Sequence, residues 1–205
     1  MVKNKNKEKG LSLKEKILKY LIENKEKPTT IRQISKELNV DYKNTFQAID
    51  NISNLISKEK FGNTNMVKIK PMPNQEIFSV ENKRANQFLK ENKKLELVKR
   101  DVEILNYPFL IVLIFGSYAK KTKTDKSDID VCIISDNELK TGELISKWRL
   151  LPLRLEIHDF SVKEFESMLE VKRENIAKEI VKNNIILYGI ENYYNFISKI
   201  LYQNG

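Results

Sequence analysis

Four residues in the C-terminal half of the chain have the types and spacing of a phosphate- and metal-binding site. An apolar run at residues 109–115 is followed at once by Gly116 and Ser117, and ten residues later Asp128 and Asp130 lead into a second apolar run. Glycine lets a ligand approach the backbone closely, and a serine that starts a helix can hold a phosphate through its hydroxyl and nearby N–H groups. Because residues two apart share one face of a strand, the two carboxylates form an oxygen-rich pair suited to Mg²⁺ and nucleotide phosphates.

The competing interpretation of this pattern is a Gly-Ser turn with two unrelated surface aspartates. Chance alone gives the four residues at this spacing in about one chain per thousand. Their position between two apolar strands makes coincidence rarer still. We therefore predict a nucleotide site in which paired metal ions stabilise the attacking and leaving oxygens of an in-line displacement.

The elements that must position these residues follow from the apolar periodicity around them. Strands are predicted at 109–115, 129–134 and 153–160, with a shorter one at 185–189. Helices are predicted at 138–150, from the capping box Ser161-x-x-Glu164 as far as Val181, and at 193–201. A long connecting helix is predicted over 81–106, where Tyr107-Pro108 stops it.

The motif Gly116-Ser117-x10-Asp128-x-Asp130 resembles the signature of the DNA polymerase beta-like nucleotidyltransferase superfamily over residues 105–190. Its ten-residue spacing is similar to that of the minimal members, which include antitoxins of HEPN-type toxins. The resemblance implies a nucleoside triphosphate substrate, two Mg²⁺ ions, transfer of a nucleotidyl group and a third carboxylate on a later strand. It also implies a HEPN-type toxin as a candidate partner.

We assign that third carboxylate to Glu156. Glu156 shares a strand face with Arg154 and His158, away from the apolar residues between them. Asp159 is an alternative, but it lies three residues after Glu156 and is therefore expected on the opposite face of the strand, toward the core. His158 is the only histidine in the chain, and since a lone histidine is more often structural than catalytic, we assign it no role.

The resulting predicted catalytic and metal-binding set is Asp128, Asp130 and Glu156, and the predicted nucleotide-binding set is Gly116, Ser117, Lys120 and Lys123. The chain departs from the family pattern twice, because Glu156 stands where the family usually has Asp and Lys121 stands where it often has Gly. A solvated basic loop is an equally good interpretation of the lysines.

Residues 11–80 resemble a winged helix-turn-helix domain. The capping box Ser12-x-x-Glu15, Thr30 and Asp41 open three helices, and Gly62-Asn63-Thr64-Asn65 turns between two extended segments. The third helix is predicted to bury one stripe of large apolar residues, namely Tyr42, Phe46, Ile49, Ile52 and Ile56.

The opposite side of that helix is predicted to present polar side chains that can contact base edges and phosphates of double-stranded DNA, namely Lys43, Asn44, Gln47 and Asn51. Lys68 and Lys70, with Lys58 and Lys60, flank the predicted wing and are placed to neutralise phosphates. The alternative is a small helical domain for protein contact or dimerisation, and the oligomeric state, a homodimer included, stays open.

Composition supports both parts of this prediction. Residues 1–80 carry 16 Lys and Arg against 9 Asp and Glu, whereas residues 81–205 carry 21 against 19, so the basic excess lies in the first part. No apolar run is long enough to span a membrane, and one cysteine, Cys132, in an apolar run is expected to be a buried hydrophobe. A cytoplasmic protein is expected.

The sequence thus predicts an α+β protein with a basic tail at 1–10, a winged helix-turn-helix domain at 11–80, a connecting helix at 81–106, and at 107–205 a nucleotidyltransferase domain with a mixed sheet flanked by helices. Its predicted function is Mg²⁺-dependent transfer of a nucleoside monophosphate from a nucleoside triphosphate, with ATP favoured, to a hydroxyl acceptor. The sequence leaves open whether the acceptor is a protein such as a partner toxin, an RNA or a small molecule. DNA binding would serve autoregulation. The alternative is a non-catalytic DNA-binding regulator whose transferase fold senses a nucleotide or holds a partner.

Overall fold

The computed structural model of the chain describes residues 10–62 and 64–203, with side chains as far as residue 200. These residues form two compact units, one ending at Val80 and the other beginning at Glu81. The basic tail predicted at residues 1–10 lies outside the described residues except for its last one. Among the described helices, none has the length and apolar character that a membrane span requires.

The first unit has three helices and a small antiparallel sheet. Its elements in chain order are α1 (Leu13–Glu23), β1 (Thr29–Thr30), α2 (Ile31–Leu38), α3 (Tyr42–Asp50), β2 (Ile56–Phe61) and β3 (Thr64–Ile69), with sheet order β1-β3-β2. The capping box at Ser12 is confirmed, and Thr30 and Asp41 cap the next two helices as predicted. A left-handed Asn39 ends α2 and turns the chain toward α3.

The buried stripe predicted for α3 is wrong in part. Tyr42 and Phe46 are 51% and 46% exposed, and the residues of α3 that are buried are Thr45 and Ile49. The hydroxyl of Thr45 donates to the carbonyl oxygen of Asp41 at 2.9 Å, which satisfies this polar group inside the core. Ile49, Ile52 and Ile56 are buried as predicted, the last two from beyond the helix because it ends at Asp50. Within the helix the inward side runs through Thr45 and Ile49, so Tyr42 and Phe46 lie off it.

The single connecting helix predicted over 81–106 is two helices. α4 (Gln75–Glu91) and α5 (Glu96–Leu105) are separated by Asn92 and a short 3-10 turn. Asn92 leaves helical geometry, and its side-chain amide donates to the carbonyl oxygen of Phe88 at 2.8 Å. The break redirects the chain, so that Val98 and Val102 of α5 are fully buried in the core of the second unit.

The second unit contains the predicted mixed sheet. Its strands are β4 (Ile111–Ile114), β5 (Ile129–Ile134), β6 (Leu155–Phe160) and β7 (Ile185–Tyr188), in the order β6-β5-β4-β7. β5 runs parallel to β6, while β4 is antiparallel to both of its neighbours. The central strands are continuous apolar runs because both of their faces are covered.

Helices α6 (Gly116–Ala119), α7 (Glu138–Trp148), α8 (Val162–Glu170), α9 (Ile176–Lys182) and α10 (Ile190–Gln203) complete the second unit. Alternate residues of β5, among them Val131 and Ile133, join a core that includes Trp148 of α7. Cys132 points to the other face and is fully buried as predicted, and burial raises the pKa of its thiol.

The helix predicted to continue through Val181 is interrupted. α8 ends at Glu170 and Val171 is extended, so residues 171–175 form a connection before α9. Asn175 accounts for the restart, because its side-chain oxygen caps the N–H of Lys178 while its amide donates to the Met168 carbonyl oxygen at 2.6 Å. The capping box at Ser161 is confirmed.

A buried polar network fixes the start of the second unit. Glu81 and Arg84 form an ion pair that is almost entirely buried. The hydroxyl of Tyr194 donates to Glu81 at 2.7 Å, and Arg84 donates to the backbone oxygen of Asn184 at 3.1 Å. These partners satisfy charges that would otherwise be costly to bury, and they tie α4 to α10.

Two glycines of the second unit provide a matched test of its packing. Gly189 has φ +76° and a Cβ there would overlap the carbonyl oxygen of Leu110, whereas Gly142 is exposed in α7 with open space around it. We expect Gly189→Ala to lower the free energy of unfolding by about 1–2 kcal/mol or more, and Gly142→Ala to raise it by about 0.5–1 kcal/mol. Urea denaturation measures both, and equal effects of the two variants would contradict the packing around Gly189.

Candidate active site

The corner between β4 and α6 is built around the Asp130 side chain. Gly116 has φ +62°, and a Cβ at this position would overlap the carboxylate of Asp130. The N–H of Phe115 also donates to the backbone oxygen of Asp130 at 3.1 Å. Sequence reasoning attributed this glycine to close approach of a ligand; in the structure, the group for which it makes room is Asp130.

Asp130 and Glu156 are direct neighbours across the parallel β5–β6 pair. Burial raises the pKa of Asp130 above its ordinary value, and the nearby charge of Glu156 raises this pKa further. His158 acts on this pKa in the opposite direction. The fold therefore holds two like charges close together, which is the arrangement that a bound cation relieves.

His158 lies with the two carboxylates. One ligand atom from each of Asp130, Glu156 and His158 lies within 4.8 Å of the others, and His158 Nε2 is 3.4 Å from Glu156 Oε1. The imidazole packs edge-on to the ring of Phe115, with centroids 5.4 Å apart. This donor set of oxygens and one nitrogen, beside a backbone without a Cβ at Gly116, fits a divalent cation.

Asp128 is more exposed than Asp130 and lies just before β5. Its Oδ1 is 3.4 Å from Nε of Arg154, and Arg154 also donates to the backbone oxygens of Asp125 and Ser127, at 2.9 and 3.4 Å. The guanidinium thus holds the end of the 118–127 loop against the start of β6. The predicted pairing of Asp128 with Asp130 is not what the structure shows: Asp128 is outside the cluster formed by Asp130, Glu156 and His158, and its carboxylate is engaged by Arg154.

The predicted phosphate-binding residues lie on the loop that follows β4. Ser117 is half-buried in the single turn of α6. Lys120 forms an ion pair with Glu179 of α9 at 2.7 Å. Lys123 contacts the side-chain oxygen of Asn92, and its Nζ lies 4.4 Å from the centre of the Tyr118 ring. Both lysines therefore have partners within the second unit.

Lys121, which stands where the resembled family often has Gly, adopts a left-handed backbone conformation. Its φ is +59°, in the left-handed region, and the neighbouring N–H of Thr122 donates to the carbonyl oxygen of Ser117 at 3.0 Å. A residue with a Cβ costs about 1–2 kcal/mol in this region. The loop therefore has a backbone conformation that glycine adopts most easily, although a lysine occupies the position.

A basic cavity of about 600 Å³ lies beside the same loop. Its lining includes five cationic side chains and two acidic ones, namely Lys90, Lys93, Lys94, Lys123 and Arg154 against Glu91 and Asp125. Ser127 and Arg154, which line it, are neighbours of Asp128 in the chain and in space respectively, but Asp128, Asp130 and Glu156 are not among its lining residues. Its charge suits the phosphates of a nucleotide or an anionic acceptor.

The residues predicted to contact DNA are mostly exposed. Lys43, Asn44 and Gln47 are exposed on α3, Asn51 is exposed just beyond its end, and Tyr42 and Phe46 are exposed with them. Lys68 is exposed on β3, while Lys70, just after β3, is half-buried.

Sequence reasoning missed the contacts that Arg154, His158 and Glu179 make around the site. The alternation along β6 was a usable signal for the first two, because it placed both on the face of Glu156. No local signal pointed to Glu179, since α9 reaches the site through the tertiary fold.

Comparison with known proteins adds independent information. A family model described as polymerase beta, nucleotidyltransferase matches residues 87–193. A protein of Methanocaldococcus jannaschii, provisionally named a protein adenylyltransferase, is 31% identical over 81 residues, which are 39% of this chain and 56% of that protein. The match thus spans little more than half of the relative's length. A crystal structure of a toxin-antitoxin with AMP-PNP has a TM-score of 0.34 and 20% identity over 52% of this chain and 86% of that chain, a likeness too weak to support an argument.

The raised pKa of Asp130 gives a prediction with a definite sign. A carboxyl whose pKa is higher in the folded state disfavours folding once the pH rises above its ordinary value of 3.8. In metal-free buffer at neutral pH, Asp130→Asn should therefore raise Tm, and the gain should shrink at acidic pH, where the wild-type carboxyl is protonated. Thermal melts across pH measure this, with the exposed Asp125→Asn as the control; a lower Tm for Asp130→Asn at neutral pH would contradict the assigned electrostatics.

Proposed function

The chain belongs to the polymerase beta nucleotidyltransferase family. We propose that it transfers AMP from ATP to a hydroxyl group with the help of Mg²⁺. The observation that carries the proposal is the pairing of Asp130 with Glu156 across β5 and β6, next to Gly116. The name of the Methanocaldococcus jannaschii relative supports an adenylate group and a protein acceptor.

The proposed roles of the residues follow from their positions. Asp130 and Glu156, with Asp128 at the edge, would hold the metal, and Ser117 with the backbone of α6 would orient the terminal phosphates. Bound Mg²⁺ would neutralise charge on the attacking and leaving oxygens. Lys120 and Lys123 would have to leave Glu179 and Asn92 to contact phosphate directly.

The transfer itself needs no covalent enzyme intermediate. The acceptor oxygen forms a bond to the α-phosphorus of ATP while the bond to the β-phosphate oxygen breaks, and pyrophosphate leaves. Glu156 would take the hydroxyl proton in this proposal. Catalysis in this scheme comes from positioning and charge neutralisation at the end of β5 and β6.

We place the acceptor hydroxyl on a partner protein, following the resemblance to minimal antitoxins and the relative's name. The structure supports a large acceptor, because the side chains of Asp128 and Glu156 are 55% and 59% exposed. A tyrosine of a HEPN-type toxin is the acceptor that this resemblance favours.

The first unit is proposed to bind double-stranded DNA as a winged helix. Its order of elements, with a hairpin after α3, and the exposed Lys43, Asn44 and Gln47 on α3 support this proposal. DNA binding would allow autoregulation. A second candidate function is a non-catalytic regulator, and the ion pair of Asp128 with Arg154 is the observation that favours it.

Metal and nucleotide binding should depend on the aspartate pair. We expect Mg²⁺ with ATP to raise Tm of the wild type and to leave the double variant Asp128→Asn/Asp130→Asn unchanged, because the carboxylates supply the metal ligands. Glu170→Gln, at an exposed position at the end of α8 outside the site and the basic cavity, should keep the wild-type shift. Differential scanning fluorimetry is the measurement, and an equal shift in the double variant would remove the proposed site.

Transfer should be detectable as a covalent product. After incubation with ATP, Mg²⁺ and the protein encoded next to this chain, we expect that partner to gain the mass of one AMP, and we expect Asp130→Ala to abolish the gain. Intact-mass spectrometry measures it. An unmodified partner that this chain nevertheless binds and inhibits would favour the non-catalytic regulator.

Variants on α3 and on β3 should affect two different properties of DNA binding, namely preference for one sequence and general affinity for phosphates. Replacing Lys43, Asn44 and Gln47 by Ala should remove preference for the chain's own upstream DNA. Lys68→Ala should weaken binding to every sequence and reduce the salt slope by roughly one. Lys27→Ala, an exposed lysine before β1, is the control. Electrophoretic shifts at low salt test this, and no shift with upstream or random duplex would refute the winged-helix proposal.

A further inference from the structure

His158 is the one histidine of the chain, and the fold brings it to the carboxylate pair. It follows Glu156 by two residues on β6, so the two side chains emerge on the same strand face. Its partner in the β5–β6 register is Cys132, which is fully buried, so the backbone beneath the imidazole is fixed by the core. The ring of Phe115 limits how the imidazole can turn.

We propose that His158 Nε2 is a ligand of the metal at this site, and that the site consequently prefers Mn²⁺ to Mg²⁺. This inference rests on the proposed function, because it assigns a further ligand to the same metal. Nε2 already faces the pair, 3.4 Å from Glu156 Oε1, and the three ligand atoms lie close enough to surround one ion.

The preference follows from the chemistry of the donors. Mg²⁺ demands oxygen ligands in near-ideal octahedral geometry and gives up its waters reluctantly. Imidazole nitrogen is a softer ligand that favours transition metals, whereas carboxylates suit both Mg²⁺ and Mn²⁺. One nitrogen with two carboxylates therefore shifts the balance toward Mn²⁺ without excluding Mg²⁺.

The competing explanation is that His158 serves as a counter-ion for Glu156. A protonated imidazole at 3.4 Å would neutralise one carboxylate and leave no nitrogen lone pair for a metal. The two explanations differ in what a bound ion contacts. Only the ligand role places a nitrogen in the coordination shell of the metal.

The test uses full-length protein without a histidine tag and Mn²⁺ as the probe, in the presence of a non-hydrolysable ATP analogue. Pulsed electron paramagnetic resonance of bound Mn²⁺ should show coupling to nitrogen. Because His158 is the only histidine, labelling with ¹⁵N-histidine should change that coupling, and His158→Gln should abolish it. Asp159→Asn, an exposed neighbour on the same strand, should leave the coupling intact.

Affinity gives the second readout. Titration calorimetry should show that His158→Gln loses roughly tenfold or more in Mn²⁺ affinity, because even a residue that only supports a metal ligand is worth about 10–100-fold. Mg²⁺ affinity should change little. Bound Mn²⁺ with no histidine coupling and an unchanged preference in His158→Gln would overturn the ligand role and leave the proposed function standing. Absence of binding by either ion, in a protein that still unfolds cooperatively, would overturn both.

Discussion

The parallel register of β5 and β6 places Asp130 directly beside Glu156, so two carboxylates that repel each other share one end of the sheet. Burial and the charge of Glu156 together raise the pKa of Asp130. The backbone is arranged around this pair, with Gly116 leaving room for the Asp130 carboxylate and Arg154 holding the adjoining loop. An unfavourable electrostatic contact that the fold maintains is a site prepared for a cation.

The free energy that maintains the contact comes from the strand that carries it. Beyond Asp130, every residue of β5 as far as Ile134 is buried, and alternate residues pack on opposite faces of the sheet. One-residue slippage between β5 and β6 would move an apolar side chain to the site and Asp130 into the core containing Trp148. The apolar packing therefore fixes the register, and the register fixes the spacing of the carboxylates.

The sequence predicted the local parts of this arrangement and missed those that depend on tertiary contacts. The bounds of β5 and the shared face of Glu156 with His158 followed from strand periodicity, and the capping boxes were confirmed. The break at Asn92 did not follow, because the same helical period fits one long helix or two shorter ones. The exposure of Phe46 did not follow either, because apolar spacing alone does not fix which side of a short helix faces the core. The left-handed backbone of Lys121 has no signal in its own residue type.

The most direct test of the account is the location of metal and nucleotide in a crystal of the protein grown with Mn²⁺ and a non-hydrolysable ATP analogue. We expect anomalous scattering from an ion at coordination distance, about 2.1–2.3 Å, from carboxylate oxygens of Asp130 and Glu156. The analogue's phosphates should lie over Gly116 and Ser117. Nucleotide bound elsewhere, with the Asp130–Glu156 pair neutralised by a protein side chain and no ion between them, would show that this pair is not the metal site.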